Sequence, residues 1–256
     1  MKVLVACEYS GTVRDAFIAQ GHKAMSCDLL PTDAPGPHYQ GDVLDIINDG
    51  WDLMIAHPPC TYLSVSGMHW TTRGLRDLQL TVDALNFVRT LLDANIPRIA
   101  LENPVSVIST QIRKPDQVVH PWMFGHDASK KTCLWLKGLP KLEVRKHYVV
   151  PPKGWQLVMA AQEMEKCPDC GEPFCEMHMD HYADCICVGP HEDEATQKQI
   201  DGVLFGTREE PAPKPIWGNQ TPSGQNKLGP SADRWKIRSK TYQGIAIAMA
   251  QQWGNL

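Results

Sequence analysis

The chain has 256 residues, of which 43% are hydrophobic, and a formal net charge of −4. This length suits one domain of ordinary size with an insertion, and the composition is typical of a globular chain. No apolar run approaches the roughly twenty residues that a membrane-spanning helix needs. We expect no secretory or transit segment before Val3, and therefore a soluble protein of the cytoplasm with no membrane partner.

The first thirty residues predict a strand, a helix and a second strand. Val13, Ala16 and Phe17 fall on one face of the helix, and Gly11 opens the turn before it. An acidic residue about twenty positions after such a turn is typical of a carboxylate that binds ribose hydroxyls. Asp28 has this position, although it could simply cap the following loop. The predicted elements are a strand at 2–6, a helix at 12–20 and a strand at 22–27.

Two later segments share one pattern, in which an apolar run ends in a polar residue and a proline. The first, residues 52–60, reaches Cys60 after two prolines, and the second, residues 99–104, carries Glu102. A free cysteine is most often inert packing, and a glutamate at a strand end is often solvated. The two prolines, however, give Cys60 a rigid exit from its strand that a packing cysteine does not need.

A long amphipathic helix is predicted at 74–94, after a loop at 61–67. A helical crossover makes the flanking strands parallel, so Cys60 and Glu102 would lie at one edge of the sheet, where parallel α/β enzymes keep their active sites. We therefore predict a thiol and carboxylate pair suited to attack on a nitrogen heterocycle. The side chains expected on the buried face of the helix are Leu75, Leu78, Leu80, Ala84, Leu85, Val88, Leu91 and Leu92.

A series of short motifs runs along the chain: Cys7-Glu8-Tyr9-Ser10-Gly11, Asp28, Gly41-Asp42, Pro59-Cys60 and Glu102-Asn103-Pro104. The series resembles that of the DNA (cytosine-5) methyltransferases, in the compact form encoded by phages and prophages. The resemblance implies that Cys60 is the nucleophile and that Glu102 holds the cytosine ring. It also implies a Rossmann-like S-adenosylmethionine-dependent methyltransferase fold with a small zinc-binding insertion.

The resemblance assigns the S-adenosylmethionine contacts to Glu8, Tyr9, Ser10, Gly11, Asp28, Asp42 and Pro58. The chain departs from the family pattern in several places. The usual aromatic and glycine-rich donor loop is replaced, and His57 stands where a small apolar residue is usual. No Gln-x-Arg-x-Arg string occurs, and Lys130 and Lys131 sit roughly where it would be.

Five of the nine cysteines lie between positions 167 and 187, together with histidines. A window this poor in large apolar residues would not form a core without a metal, and Cys-x-x-Cys turns supply two ligands of a tetrahedral zinc site. We therefore predict structural zinc and a reducing compartment. The ligand choice stays open between Cys167, Cys170, Cys185 and Cys187 and the alternative set Cys175, His178, Cys185 and Cys187, with one ion or two.

The negative net charge is concentrated in one part of the chain. Residues 163–210 hold 13 acidic and 3 basic side chains, which leaves 22 basic and 16 acidic ones elsewhere. Basic stretches are often only solvated surface, but clusters at 130–146 and 227–240 suit a cleft that follows a phosphate backbone. We predict DNA contacts at Lys130, Lys131 and Arg238.

Three regions are predicted along the chain. Residues 1–150 form the catalytic domain, and residues 151–230, rich in proline and glycine, form a zinc-stapled target-recognition insertion with a connecting loop. Residues 231–256 return to helix and complete the catalytic domain. Ile245, Ala248, Met249 and Trp253 recur at helical spacing and predict packing next to the first βα unit.

These features together predict a DNA (cytosine-5) methyltransferase that acts on a flipped-out or single-stranded cytosine. One alternative is a pyrimidine-modifying enzyme of the same fold with a modified donor or a nucleotide substrate. Another is a non-catalytic, zinc-containing nucleic-acid-binding protein. Enzymes that methylate exocyclic amines usually place an aromatic residue where this chain has Cys60. The target sequence, the biological role and the oligomeric state are not predicted.

Overall fold

The computed structural model describes residues 1–144, 217–221, 226–229, 231 and 234–256. The chain divides into two compact units, residues 1–150 with 228–256, and residues 151–227. The first unit carries the sheet and the helices described below. The second is described only at 217–221 and 226–227, so the predicted zinc ligands lie outside the described residues.

The first unit is a mixed α/β fold built on a seven-stranded sheet of order β3-β2-β1-β4-β5-β7-β6. The first five strands in this order are parallel, and β7 runs antiparallel to both of its neighbours, β5 and β6. The mixed α/β class expected from the sequence is confirmed. The strands are β1 Lys2–Ala6, β2 Lys23–Asp28, β3 His38–Gln40, β4 Leu53–Ala56, β5 Arg98–Pro104, β6 Gln117–Val119 and β7 Thr132–Lys137.

The chain reverses its direction of travel across the sheet between β1 and β4. After β1 it moves outward to β2 and β3, and it then returns to place β4 on the other side of β1. Open α/β sheets bind ligands in the crevice outside the carboxyl ends of the strands at such a switch point. The carboxyl edge near β1 and β4 is therefore the place in this fold where a ligand site is expected.

The described helices are α1 Thr12–Ala19, α2 Val65–Thr72, α3 Gln79–Asp93, α4 Ile108–Gln111, α5 Arg234–Ser239 and α6 Gln243–Trp253, with short 3-10 helices at Val43–Asp45 and Pro121–Phe124. The predicted loop at 61–67 is wrong at its end, because α2 begins at Val65. The predicted helix at 74–94 begins only at Gln79. Leu75 and Leu78 therefore lie before the helix and are 67% and 61% exposed instead of buried. Leu80 lies in the first turn of α3 and is also exposed, at 39%. No described helix is long and apolar enough to span a membrane.

Both faces of the sheet are covered, which explains the continuous apolar runs in its central strands. One face packs against α1 and α6, with Phe17, Met249 and Trp253 fully buried. The other face packs against α3, where Val88 and Leu91 are fully buried. The predicted contact of the C-terminal helix with the first βα unit is confirmed, as is the parallel pairing of β4 and β5.

Candidate active site at the carboxyl edge of the sheet

The register of β4 and β5 brings His57 and Glu102 together. Ala56 pairs with Leu101, so the residues that follow them lie level with each other. His57 Nδ1 and Glu102 Oε2 are 2.7 Å apart, and the two side chains are 9% and 8% exposed. The sequence predicted Glu102 at the end of its strand; it lies inside β5, which continues to Pro104.

Glu102 is held in its ionised form. Burial acts to raise the pKa of its carboxyl group, but the hydrogen bond from His57 and the charge of Lys130 outweigh burial and leave this pKa below its ordinary value. An ionised carboxylate only accepts hydrogen bonds, so Nδ1 of His57 must carry the proton between them. No described residue donates to the second oxygen, Oε1, and it is not among the unpaired polar atoms shut off from solvent.

A buried asparagine fixes the loop that carries Cys60, residues 57–64, which we call the thiol loop. Asn103 follows Glu102 in β5, is 2% exposed, and donates from Nδ2 to the carbonyl oxygen of Pro58 at 2.8 Å. The amide of Ser64 donates to the carbonyl oxygen of Cys60 at 2.8 Å and closes the turn behind the thiol. The thiol loop is therefore tied to the strand that carries the carboxylate.

Cys60 is exposed, and its surroundings act on its thiol in opposite directions. Desolvation by the neighbouring loops and the charge of Glu102 raise the pKa of Cys60, whereas the charges of Lys130 and Arg238 lower it, and the net result is a raised pKa. A thiolate is the reactive form of cysteine. The two cations therefore promote the reactive form against the effect of desolvation.

Short contacts join α5 to two loops of the carboxyl edge. Lys130 Nζ donates to the carbonyl oxygen of Arg238 at 3.1 Å. Tyr9 Oη donates to the carbonyl oxygen of Lys236 at 2.8 Å and lies 3.0 Å from Ser239 Oγ. Of the predicted DNA contacts, Lys130 and Arg238 thus lie together and act on Cys60, while Lys131 is an exposed neighbour.

The turn after β1, residues 7–11, which we call the donor turn, uses its polar groups within the chain. Glu8 is 5% exposed and caps α1, because its two carboxylate oxygens accept the amides of Val13 at 2.7 Å and Arg14 at 3.2 Å. Ser10 Oγ donates to the same carboxylate at 3.1 Å. Gly11 has a φ of 74°, and a Cβ there would clash with the guanidinium group of Arg14. A role for Glu8 and Ser10 in donor binding stays a prediction.

Two acidic side chains converge on the end of β1. Asp28 and Asp42 each accept one backbone amide through Oδ1, from Leu30 and Leu44, and no described residue donates to either Oδ2. Burial first, and then the charges of both carboxylates, raise the pKa of the Cys7 thiol. The free oxygens are hydrogen-bond acceptors of the kind that ribose hydroxyls require. A role for Asp28 and Asp42 in donor binding stays a prediction.

The sequence did not predict the roles of two residues near the carboxyl edge, His57 and Arg14. His57 was noted only as a departure from the family pattern, because its partner lies 45 positions away. Arg14 is fully buried, and its partners come mainly from the loop after β2. It bonds to Asp15, Ser26 and Thr32 and to the carbonyl oxygens of Ala34 and Pro35.

Within the described part of the chain no group of three or more His, Cys, Asp or Glu side chains could hold a metal ion. The predicted ligands Cys167, Cys170, Cys175, His178, Cys185 and Cys187 lie outside that part. Structural zinc therefore stays a prediction from the sequence.

No family model and no curated protein sequence matches the chain. Among solved structures it is similar to a candidate DNA modification methyltransferase encoded within a prophage (E. coli), at 15% identity and a TM-score of 0.37, over 64% of this chain and 55% of that one. It is also similar to the Entamoeba histolytica methyltransferase EhMeth, at 12% identity and a TM-score of 0.42, over 64% of this chain and 60% of that one. The chain spans less than two thirds of the length of either protein.

Proposed function

We propose that the chain is a DNA (cytosine-5) methyltransferase that uses Cys60 as a covalent nucleophile. One observation carries the proposal: Asn103 ties the thiol loop to β5 beside a buried, ionised Glu102. A thiol and a carboxylate at one edge of two adjoining parallel strands are the two groups that the proposed reaction needs. The motif series shared with that family supports the same assignment.

The reaction follows from the chemistry of the ring. Carbon 5 of cytosine is a poor nucleophile, so the Cys60 thiolate first forms a bond to carbon 6, and the electrons of the 5,6 double bond make carbon 5 nucleophilic. Carbon 5 then takes a methyl group. Loss of the carbon 5 proton to water and cleavage of the carbon 6 to sulfur bond restore the ring and the thiolate.

Glu102 stabilises the charge that develops on the ring. Its free oxygen, Oε1, can accept a hydrogen bond from the exocyclic amine or from the protonated ring nitrogen. Lys130 and Arg238 favour the attacking thiolate. A base inside a duplex cannot reach this edge, so the target would be flipped out or single-stranded.

S-adenosylmethionine, bound in the crevice beside β1, would supply the methyl group. Asp28 and Asp42 would hold its ribose and adenine, and the donor turn with Tyr9 would line the crevice. Pro58 would contribute from the thiol loop. Lys130, Lys131 and Arg238 would contact the DNA backbone, and structural zinc would organise the insertion.

The decisive experiment is bisulfite sequencing of DNA from cells that express the full chain. We expect protected cytosines with the native protein and none with Cys60→Ser, since the hydroxyl is a far weaker nucleophile. Cys133→Ser is the matched control, because Cys133 is a buried cysteine on β7. Protected cytosines with Cys60→Ser, or none with the native chain, would reject the proposal.

A second experiment separates ring binding from donor binding. Glu102→Gln should slow methyl transfer by about 10²-fold or more, because the charge that stabilises the ring is lost. The affinity for S-adenosylmethionine, measured by calorimetry, should stay the same, since Glu102 lies across the edge from Asp28 and Asp42. An equal loss in rate and in donor affinity would contradict the assigned position. Mass spectrometry of digested product DNA identifies the transferred group.

A further inference from the structure

Helix α5 has six residues, none of them buried, and polar contacts hold it in place. A helix of this length is not stable in water by itself. The position of α5 therefore depends on the segments that it touches. Elements with few buried apolar contacts belong to the least stable part of a fold, so a change at their contacts readily shifts their position.

Tyr9 of the donor turn holds α5 from a buried position. It is 6% exposed, its hydroxyl donates to the carbonyl oxygen of Lys236 at 2.8 Å, and the same oxygen lies 3.0 Å from Ser239 Oγ. The ring of Tyr9 lies beside that of Trp235, with 6.0 Å between their centroids. The polar end of Tyr9 is therefore bonded to α5.

The loop after β2 is tied both to Tyr9 and to the residue that follows α5. The amide of Asp33 donates to the carbonyl oxygen of Tyr9 at 2.8 Å, and its carboxylate lies 2.8 Å from Lys240 Nζ. The same loop begins after Asp28, which the proposed function assigns to the ribose of the donor. The two segments that line the crevice beside β1, which we call the donor crevice, thus hold α5 together.

The carboxyl end of α5 reaches the proposed nucleophile. Lys130 Nζ donates to the carbonyl oxygen of Arg238 at 3.1 Å. Desolvation raises the pKa of Cys60 most strongly and the charge of Glu102 adds to it, whereas the charges of Lys130 and Arg238 lower this pKa. Because Arg238 belongs to α5 and Lys130 is bonded to it, the effect of both cations on the thiol follows the position of this helix.

We propose that α5 couples the donor crevice to the thiol, with Tyr9 as the residue that positions the helix. A bound donor holds the donor turn and the loop after β2 in place, and these two segments keep α5 docked. Docked α5 keeps Arg238 and Lys130 beside Cys60, where their charges favour the thiolate. The inference rests on the proposed function and adds an order to it, because the thiol is most reactive after the donor has bound. Coupling of this kind is reciprocal, so the thiolate also favours donor binding.

The test is the pH profile of Cys60 alkylation by iodoacetamide, with and without S-adenosylhomocysteine. This demethylated form of the donor has no methyl group to transfer, so the profile reports the thiol alone. Mass spectrometry of the peptide that contains Cys60 gives the rate, and calorimetry gives the affinity for the ligand. A lower midpoint means more thiolate at a given pH, whereas shielding by the ligand lowers the plateau and leaves the midpoint unchanged.

The native protein should have a lower midpoint with the ligand than without it. Below the midpoint, alkylation should become about two- to fivefold faster, the size of a partly exposed charge interaction. Tyr9→Phe keeps the ring but loses the hydrogen bond to α5, so its midpoint without ligand should lie above the native one. The ligand should also shift the midpoint of this variant less than that of the native protein.

A second variant and a control separate this coupling from a general loss of structure. Ser239→Ala keeps Tyr9 and removes one neighbour of its hydroxyl, so it should raise the midpoint by a smaller amount. Tyr39→Phe is the matched control, because the hydroxyl of Tyr39 donates to Asp45, in the 3-10 helix after β3, at 3.1 Å. It should leave both midpoints at their native values.

Three outcomes would overturn the inference or the function on which it rests. If Tyr9→Phe keeps both native midpoints, or lowers only the plateau, Tyr9 is structural and the inference fails. If the native chain binds S-adenosylhomocysteine without a change in midpoint, the coupling fails and the proposed function stands. If the native chain binds no S-adenosylhomocysteine, the donor site itself is refuted, and the proposed function fails.

Discussion

At the β1 and β2 side of the carboxyl edge the buried polar side chains are bonded to the chain itself, whereas at the β4 and β5 side several have no partner. On the first side, both carboxylate oxygens of Glu8 accept hydrogen bonds and the guanidinium group of Arg14 donates them, all within the chain. On the second side, three polar atoms are buried without a hydrogen-bond partner among the described residues: His57 Nε2, Asn103 Oδ1 and Ser106 Oγ.

The difference indicates that the buried polar groups of the first side build the fold, whereas those of the second side are kept for a ligand. The donor contacts proposed on the first side, Asp28 and Asp42, are not buried. A buried polar group without a hydrogen bond costs about 1–3 kcal/mol of stability. Three such atoms in one region are tolerated when a bound molecule or water satisfies them in the working state. Substitutions of the buried polar side chains should therefore destabilise the fold on the first side and mainly slow the reaction on the second side.

The largest effect on stability is expected for Arg14→Met. This fully buried side chain makes five hydrogen bonds, three of them to the loop after β2 and one each to Ser26 of β2 and Asp15 of α1. Its loss should lower the free energy of unfolding by about 3–5 kcal/mol, because five hydrogen bonds from a charged donor disappear and the buried hydroxyl of Ser26 loses its charged partner. Arg113→Met is the control, since its ion pair with Asp116 is 39% and 37% exposed. Urea unfolding measures the free energy of unfolding of both variants. Equal losses would contradict the claim that the buried polar groups of the β1 and β2 side build the fold.

Asn103→Ala should have the opposite profile. It frees the thiol loop from β5, and a misplacement of about 1 Å can cost about 10²-fold in rate. The free energy of unfolding should fall by only about 1 kcal/mol, because one hydrogen bond is lost together with an unpaired oxygen. Methyl transfer to DNA and urea unfolding give the two numbers, with Asn86→Ala on α3 as control. A large loss of stability with a native rate would contradict the claim that the buried polar groups of the β4 and β5 side serve the reaction more than the fold.

The fold was predictable from the sequence where periodicity alone decides it. Val13, Ala16 and Phe17 are buried on α1, and Ile245, Met249 and Trp253 on α6, because an amphipathic helix has one face to bury. The predicted start of α3 was five residues too early. Spaced leucines such as Leu75 and Leu78 do not show whether they lie within a helix or before its start, so their burial was overestimated.

The candidate site was predictable only in part. The crossover placed Cys60 and Glu102 at one edge, since connection handedness and strand direction follow from the order of the elements. The partner of Glu102 was not predictable, because the level of His57 depends on the strand register. The burial of Arg14 was not predictable either, because a charged residue on a helix is normally exposed. Three of its partners lie in the loop at 32–35, which is distant in sequence from α1.

Lys130→Gln should have a smaller effect, confined to the thiol. Its charge lowers the pKa of Cys60, so its removal raises this pKa and leaves less thiolate at any given pH. Alkylation of Cys60 by iodoacetamide at pH 8 should slow by about two- to fivefold, the size of a partly exposed charge interaction. The rate is read by mass spectrometry of the peptide that contains Cys60.

Lys131→Gln is the matched control, because this exposed neighbour acts on Cys133 and not on Cys60. It should leave the alkylation of Cys60 unchanged. Equal slowing in both variants would show that overall charge near the loop, and not the position of Lys130, sets the reactivity of the thiol.

The smallest effect is expected at a surface contact between the loop after β2 and Lys240, the residue after α5. Lys240 Nζ lies 2.8 Å from Asp33 Oδ2, with the side chains 45% and 38% exposed. The hydrogen bond to Asp33 raises the pKa of Lys240, so the stabilisation is fully present at neutral pH and is lost as pH rises through the raised pKa. Lys240→Met should cost less than about 1 kcal/mol, and added salt should remove most of the difference. A larger, salt-insensitive loss in urea unfolding would mean that this contact fixes the position of α5 over the donor turn.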